Sequence, residues 1–219
     1  GYGATEVSLR VTGVPPDLAE NEYLDALEQN VIGVELEHNN IRIESDPDEG
    51  DLGEILVRGP VVAGGYLNQP ESTEEVFKEG WFHTGDIGCW RTLHGRKCYF
   101  IHGRKKEILI KGGVNISPIA VENALLNTLP ELAAAYVIGL EDDRWGEEVC
   151  ACVVFKGEQD PDAPNQIVEK GRRGEINGLS PYESPARIIP ISQDELPMTS
   201  TGKVQRSALR EYIQAKESG

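Results

Sequence analysis

The chain concentrates positive charge in one short stretch, residues 103–118, which reads GRKKEILIKGGVNISP. Cationic side chains bind phosphate groups and sugar hydroxyls, and a glycine pair lets the backbone approach a ligand closely. Ser117 followed by Pro118 has the residue types of a helix N-cap and first helical position. The stretch therefore predicts a site for a small anionic ligand next to a helix start. A solvated basic turn between two strands remains the alternative.

The rest of the chain is acidic. Its 21 Lys and Arg residues against 37 Asp and Glu residues give a formal net charge of −16. Sequence-independent binding to nucleic acid or to anionic membranes needs a cationic face, so the composition argues against both partners. No apolar run approaches the roughly 20 residues that span a bilayer. Local cations in a negatively charged protein instead favour a small anion as the ligand.

Four cysteines in 219 residues are too few for a disulfide scaffold, so we expect a reducing, cytoplasmic compartment. Cys150 and Cys152 would share one face of a strand, which favours packing in a core. A possible zinc site has suitable ligand types and consists of Cys89, His94, Cys98 and His102. Its spacing is unlike that of structural zinc sites, so we favour strand packing for these residues as well.

The hydrophobic pattern changes near the basic stretch. Before it, short apolar runs alternate with turn residues, and the runs 31–36 and 41–43 flank Asn39 and Asn40 as in a hairpin. After it, the periodicity predicts helices at 118–129, 165–177 and 206–215 around strands at 134–140 and 149–155. We therefore predict a mixed fold: a small β-barrel or sandwich subdomain at 1–102, followed by an α+β domain at 103–219.

Four stretches at fixed order carry a family resemblance: GYGATE at 1–6, the segment 53–86 ending in WFHTGD, GRKKE with its Gly-Gly pair from residue 103, and LPMTSTGK at 196–203. Together they resemble the acyl-CoA synthetase branch of the adenylate-forming enzymes, which include firefly luciferase and peptide-synthetase adenylation domains. The resemblance implies ATP, Mg²⁺ and coenzyme A as cofactors and a carboxylic acid as substrate. It also implies a missing upstream portion with the phosphate loop and much of the acid pocket.

The resemblance also assigns roles in the first half-reaction, in which a carboxylate attacks the α-phosphate of ATP. Lys203 would bridge carboxylate and phosphate, a point-charge task that suits lysine. Tyr2 would stack on adenine and Thr5 would contact phosphate. Glu6 would bind Mg²⁺ beside the phosphates, as carboxylates often do.

Further roles follow from the same resemblance. Asp86 would accept hydrogen bonds from the ribose hydroxyls, with Arg104 adding a contact. Lys106 stands at the hinge about which the small domain swings between half-reactions. Gly112 and Gly113 fall where the pantetheine channel passes. The alternatives are an adenylation domain that loads a carrier protein, where an aspartate hinge would be expected, and a non-catalytic fragment that binds a nucleotide or partner.

Overall fold

The computed structural model describes residues 1–29, 31–157, 160–200 and 202–217. The chain forms two compact units, Gly1–Lys106 and Glu107–Gly219. The predicted class is confirmed, because an antiparallel β unit precedes a unit with a mixed sheet and helices. The change of hydrophobic pattern near residue 103 lies slightly before the division between the units, because the last strand of the first unit runs on to Arg104.

The first unit is a curled antiparallel sheet of seven strands in the order β1-β2-β7-β6-β4-β3, with β5 paired to β6. Its larger core includes Val11, Ile55 and Phe82. The elements are β1 (Thr12–Gly13), α1 (Glu20–Glu28), β2 (Val31–Glu35), β3 (Asn40–Ile43), β4 (Gly53–Arg58), α2 (Pro70–Val76), β5 (Phe77–Lys78), β6 (Trp81–Leu93) and β7 (Arg96–Arg104). A 3₁₀ turn, Thr5–Val7, precedes them.

The predicted hairpin between runs 31–36 and 41–43 is wrong. Strand β2 pairs with β1 and β7, whereas β3 pairs with β4. Ile41 and Ile43 of β3 lie opposite Val57 and Ile55 of β4, and all four side chains are buried. Burial of this shared apolar face decides the pairing, which a turn-forming Asn pair cannot do by itself.

The second unit has a five-stranded sheet in the order β10-β11-β8-β9, with β12 parallel to β11. Alternate residues of β11 face opposite sides: Val149 and Val153 join the core of α3 and α4, whereas Cys150 and Cys152 join the core of α5. The cysteine pair is free and buried, so its predicted packing role is confirmed. The elements are β8 (Leu109–Lys111), β9 (Val114–Ile116), α3 (Pro118–Thr128), β10 (Leu132–Asp142), β11 (Gly146–Phe155), α4 (Ala163–Arg172), β12 (Arg187–Pro190) and α5 (Arg206–Glu217).

Helix α3 begins where the sequence predicts. The Ser117 hydroxyl accepts a hydrogen bond from the Ala120 amide at 3.2 Å, and Pro118 is the first helical residue. The Ser117 hydroxyl thereby supplies the Ala120 amide with a partner that the helix itself does not provide. Pro118 has no amide hydrogen, so its position needs no partner. Within the described ranges, no helix is long and apolar enough to cross a bilayer.

Candidate functional site

Asp86 and Arg104 lie opposite each other on the neighbouring strands β6 and β7. The Arg104 Nε donates to Asp86 Oδ1 at 2.9 Å, and Arg104 also donates to the Thr84 carbonyl at 3.0 Å. Asp86 is 5% exposed, whereas about half of the Arg104 side chain faces solvent. The antiparallel register therefore brings together two residues that the sequence predicts for ribose binding, and it leaves the guanidinium accessible to a ligand.

Tyr2 is the second partner of Asp86. Its hydroxyl donates to Asp86 Oδ2 at 2.5 Å, and its ring packs in the core of the first unit. Burial and the Asp86 carboxylate both raise the pKa of Tyr2, so the phenol stays protonated and donates. Stacking of this ring on adenine stays a prediction. The structure shows Tyr2 orienting Asp86.

Burial raises the pKa of Asp86, while the hydrogen bond from Tyr2 and the charge of Arg104 oppose that shift. Two oriented donors thus hold a carboxylate that is shielded from bulk water. A carboxylate in this setting makes stronger hydrogen bonds to a ligand hydroxyl than an exposed one does. Asp86 can therefore accept from vicinal hydroxyls such as those of ribose.

Glu6 lies in the 3₁₀ turn with Thr5, near the start of the chain. Its Oε1 accepts from the Tyr66 hydroxyl at 2.7 Å, and its carbonyl accepts from the Ala63 amide at 2.8 Å. The hydrogen bond with Glu6 raises the pKa of Tyr66 to about 12, so Tyr66 acts as a donor. One oriented, half-buried carboxylate fits Mg²⁺, which commonly takes one or two carboxylates with substrate phosphates. Thr5 is exposed beside it.

Gly3 lets this N-terminal segment fold close to the strand that follows. A Cβ at Gly3 would lie within 1.7 Å of the Leu9 carbonyl oxygen, a contact that no side chain can make. The Tyr2 carbonyl meanwhile accepts from the amides of Val11 and Thr12. The glycine between Tyr2 and Glu6 is therefore required by the backbone itself.

Lys106 is the last residue of the first unit and is exposed in a 3₁₀ turn, Lys105–Glu107. Short 3₁₀ segments often serve as connectors between elements. The hinge assignment of Lys106 stays a prediction.

Gly112 and Gly113 form the two-residue loop of the β8–β9 hairpin, with φ of 53° and 84°. Positive φ at both positions is the requirement of a type I′ turn, which explains the pair structurally. Gly112 also lies against Trp145 and Tyr182, because a Cβ there would come within 2.6 Å of the Tyr182 hydroxyl. Gly113 faces open space and is exposed. A pantetheine passage beside the pair stays a prediction.

Lys203 is exposed and lies at the end of a tight loop before α5. The loop closes through a hydrogen bond from the Thr199 amide to the Lys203 carbonyl at 2.7 Å and one from the Lys203 amide to the Thr199 hydroxyl at 3.0 Å. Met198 and Val204 form an antiparallel bridge at its base. The backbone of Lys203 is therefore fixed, and its ammonium remains accessible.

A buried ion pair holds the helix that follows Lys203. Arg206 in the first turn of α5 donates to both oxygens of Glu122 on α3 at 2.8 Å. Glu122 also accepts from the Val137 amide, and Glu107 lies 3.6 Å from Arg206. Burial raises the pKa of Glu122, and the Arg206 charge counteracts this shift. The pair thereby connects α3, β10 and the base of the Lys203 loop within the second unit.

Replacing Glu122 with alanine is expected to lower the free energy of unfolding of the second unit by about 3 kcal/mol, the low end of the range for a broken buried pair, because Arg206 keeps only the more distant Glu107. Glu169→Ala is the matched control: Glu169 pairs with Arg172 on the surface of α4, and such pairs are worth about 0–1 kcal/mol. Urea unfolding of both variants measures the difference. Equal costs would contradict the role given to the buried pair.

The possible zinc site is not formed. Cys89 Sγ lies 3.6 Å from His102 Nε2, but His94 bonds to Asp25 on the surface. Among the described residues, the group with metal-ligand geometry is instead Glu44, Glu54 and His83.

Sequence reasoning missed several residues that hold the predicted ones, namely Thr84, Tyr66, Glu54, Lys105, Glu122 and Arg206. Tyr66 follows a Gly-Gly pair inside a quoted motif, and this was a usable signal. Thr84, Glu54 and Lys105 also lie inside quoted motifs, but the motifs gave them no role. Glu122 and Arg206 lie outside the quoted motifs, and only their pairing in the folded unit marks them.

Residues 120–203 match the family described as AMP-binding enzyme C-terminal domain. Over 221 residues, the chain is 37% identical to the indoleacetate–CoA ligase of Aromatoleum aromaticum, with 98% of this chain and 40% of the relative covered. The chain thus spans about 40% of the length of this curated relative.

Solved structures of CoA synthetases are also similar to this chain. The o-succinylbenzoate CoA synthetase of Bacillus subtilis, in complex with its acyl-adenylate intermediate, superposes with a TM-score of 0.79 at 28% identity over 95% of this chain and 40% of that one. The same enzyme with ATP and a magnesium ion gives a TM-score of 0.77 at 28% identity and the same coverage.

The β unit carries a carboxylate–guanidinium pair, and the α+β unit carries an exposed lysine loop. The family match identifies residues 120–203 of the second unit as the C-terminal domain of AMP-binding enzymes.

Proposed function

We propose that the chain is part of an AMP-forming acid–CoA ligase. Such an enzyme activates a carboxylic acid with ATP as an acyl-adenylate and then transfers the acyl group to coenzyme A. The observation that carries the proposal is the oriented Asp86–Arg104 pair in a chain with this family match. The relatives' names support it, because the relatives reported above are both CoA ligases or synthetases.

In this proposal the first unit binds the nucleotide. Asp86 accepts from the two ribose hydroxyls, held in place by Tyr2, and the accessible Arg104 guanidinium adds a contact. Thr5 donates to a phosphate oxygen. Glu6 holds Mg²⁺, which when bound offsets the charge of the leaving pyrophosphate.

In this proposal the second unit supplies a positive charge in the first step and a passage for the thiol of coenzyme A in the second. Both reactants of the first step are anions, so a cation between them reduces their repulsion and stabilises the charge that develops. Lys203 provides this cation from its fixed loop. The open face of Gly113 then accepts the pantetheine chain beside Gly112. Lys106 is the backbone position that rotates between the two steps.

The proposal is tested by pyrophosphate exchange with the full-length protein against short, medium-chain, aromatic and dicarboxylic acids. ATP-dependent exchange with one class of acid, followed by formation of its CoA thioester, is the expected result. Exchange without transfer to CoA, but with transfer to a carrier protein, would favour the carrier-loading alternative. Absence of exchange with every class would contradict the proposal.

Residues 1–219 by themselves are expected to form no CoA thioester and to bind ATP weakly, because the resemblance places the phosphate loop outside this chain. Thioester formation by the purified chain, followed by chromatography with the full-length protein as the positive control, measures this. Measurable product from the chain alone would contradict the assignment of essential parts elsewhere.

Asp86→Asn in the full-length protein is expected to raise the KM for ATP roughly 10-fold or more, because hydrogen bonds to a charged partner contribute about 1.5–3 kcal/mol. The KM for the acid should change little. Asp51→Asn, in an exposed turn of the same unit, is the matched control. Steady-state kinetics with ATP and acid varied separately distinguishes the two constants.

A further inference from the structure

Glu54 is a buried carboxylate on β4 that the proposed mechanism does not use. The residue is 5% exposed. Its Oε1 accepts from the Gly85 amide at 2.8 Å, and its Oε2 accepts from the Lys105 ammonium at 2.9 Å. One side chain thus contacts the residue before Asp86 and the residue after Arg104.

The surroundings keep Glu54 ionised. Burial acts to raise its pKa, but the hydrogen bonds from Lys105 and from the Gly85 amide outweigh burial and lower it. The same ion pair raises the pKa of Lys105. His83 lies 3.6 Å from Glu54, and Glu44 lies 3.7 Å from Lys105. Glu44, Glu54 and His83 together have the geometry of metal ligands. The Lys105 ammonium forms ion pairs with both carboxylates of this group.

The part of β6 that carries Asp86, where the pairing with β4 shifts register, is held by two consecutive residues of β4. Gly85 has a φ of 71°, and the hydrogen bond from its amide to the Glu54 carboxylate fixes this conformation. Thr84 donates to the Ile55 carbonyl at 2.7 Å and accepts from the Asp86 amide at 3.0 Å. The orientation of the Asp86 carboxylate therefore depends on Glu54 and Ile55 of one neighbouring strand.

The second contact of Glu54 acts on the partner of Asp86. Lys105 follows Arg104 directly, and its ammonium is fixed to a buried group although its side chain is about half exposed. Fixing Lys105 restrains the end of β7, where the Arg104 backbone lies opposite Asp86. Glu54 thus restrains both members of the Asp86–Arg104 pair from behind.

We propose that Glu54 is a positioning residue for the nucleotide site, acting through Gly85 on Asp86 and through Lys105 on Arg104. The inference rests on the proposed function, because it assumes that Asp86 and Arg104 bind the nucleotide. Glu54 itself touches no substrate. Its loss is expected to weaken nucleotide binding without altering recognition of the acid or of CoA.

The test uses the full-length protein with Glu54→Ala, Glu54→Gln and Lys105→Met, and measures AMP affinity by calorimetry and the KM for ATP. Glu54→Ala removes both contacts and is expected to weaken AMP binding about 10- to 100-fold, because the charged hydrogen bonds that Asp86 and Arg104 make to the nucleotide would both be misaligned. Glu54→Gln keeps an acceptor for Gly85, and Lys105→Met breaks only the ion pair. Both should weaken AMP binding about 3- to 10-fold.

The double variant Glu54→Ala/Lys105→Met should bind AMP no more weakly than Glu54→Ala, because Lys105 acts through Glu54. Glu35→Gln is the control: Glu35 also accepts a backbone amide in this unit, from Ile41, but lies at the end of a different strand, β2. It should bind AMP like the wild type. Melting temperatures identify variants that fail to fold, in which case the Gln and Met variants decide.

Three other outcomes are distinguishable. If Asp86→Asn weakens AMP binding but folded Glu54→Gln and Lys105→Met bind normally, the positioning role is overturned and the proposed function stands. If the KM values for ATP, acid and CoA rise in parallel, Glu54 is structural only and the inference is again overturned. If the wild type binds no nucleotide, the proposed function and the inference both fail.

Discussion

Replacing Lys203 with alanine in the full-length protein is expected to reduce pyrophosphate exchange about 100- to 1,000-fold, the range seen when one preorganised donor to a developing charge is removed. Thioester formation from a supplied acyl-adenylate should change less than about 3-fold, because the interaction acts only before pyrophosphate leaves. Measuring the two half-reactions separately gives both numbers for one preparation.

The physical reason lies in the charges of the two reactants. A carboxylate and a phosphate repel each other, and a unit charge 4 Å from another contributes about 4 kcal/mol at an effective dielectric constant of 20. Lys203 is exposed at the end of a loop whose backbone is closed by the Thr199 bonds, so its position costs little to organise. Removing its side chain should leave the fold of the second unit intact.

Lys156→Ala is the matched control for this prediction. Lys156 is also an exposed lysine of the second unit, and its ammonium bonds to the Pro130 carbonyl. It should retain both half-reactions. Equal losses in both half-reactions for Lys203→Ala, or a lowered melting temperature, would make Lys203 a structural residue.

Lys106→Pro is expected to have the opposite effect on the two half-reactions: adenylate formation should survive and transfer to CoA should be lost. Proline fixes φ and removes the amide donor, so it restrains a backbone position that must rotate if the second unit moves between steps. The structure places Lys106 at the last residue of the first unit, exposed in a 3₁₀ turn. Pyrophosphate exchange should stay within about 3-fold, and transfer to CoA should fall by about two orders of magnitude or more.

Lys106→Ala is the control, because it removes the charge and keeps the backbone free. It should retain transfer to CoA. A surface lysine with no hinge role would behave differently: proline would then lower the melting temperature and reduce both half-reactions in parallel. Separate assays of pyrophosphate exchange and of transfer to CoA, with a thermal melt of the same variants, decide between these results.

The sequence by itself predicted the features that depend on neighbouring residues. The Ser117-Pro118 helix start is confirmed. The Gly112-Gly113 pair was expected to let the backbone approach a ligand, and the structure shows that it also forms a tight turn with positive φ at both positions. The order of an antiparallel β unit and an α+β unit is also confirmed. These features are local, so composition and spacing within a few residues carry them.

Only the tertiary structure decided which distant residues meet. Asp86 faces Arg104 through a register that includes a shift between Ile87 and Gly88, and no local pattern sets such a shift. Glu54 reaches Lys105 across 51 positions of sequence, and Glu122 reaches Arg206 across 84. The failed hairpin has the same cause: strands pair where they bury a common apolar face, and that burial depends on the whole sheet.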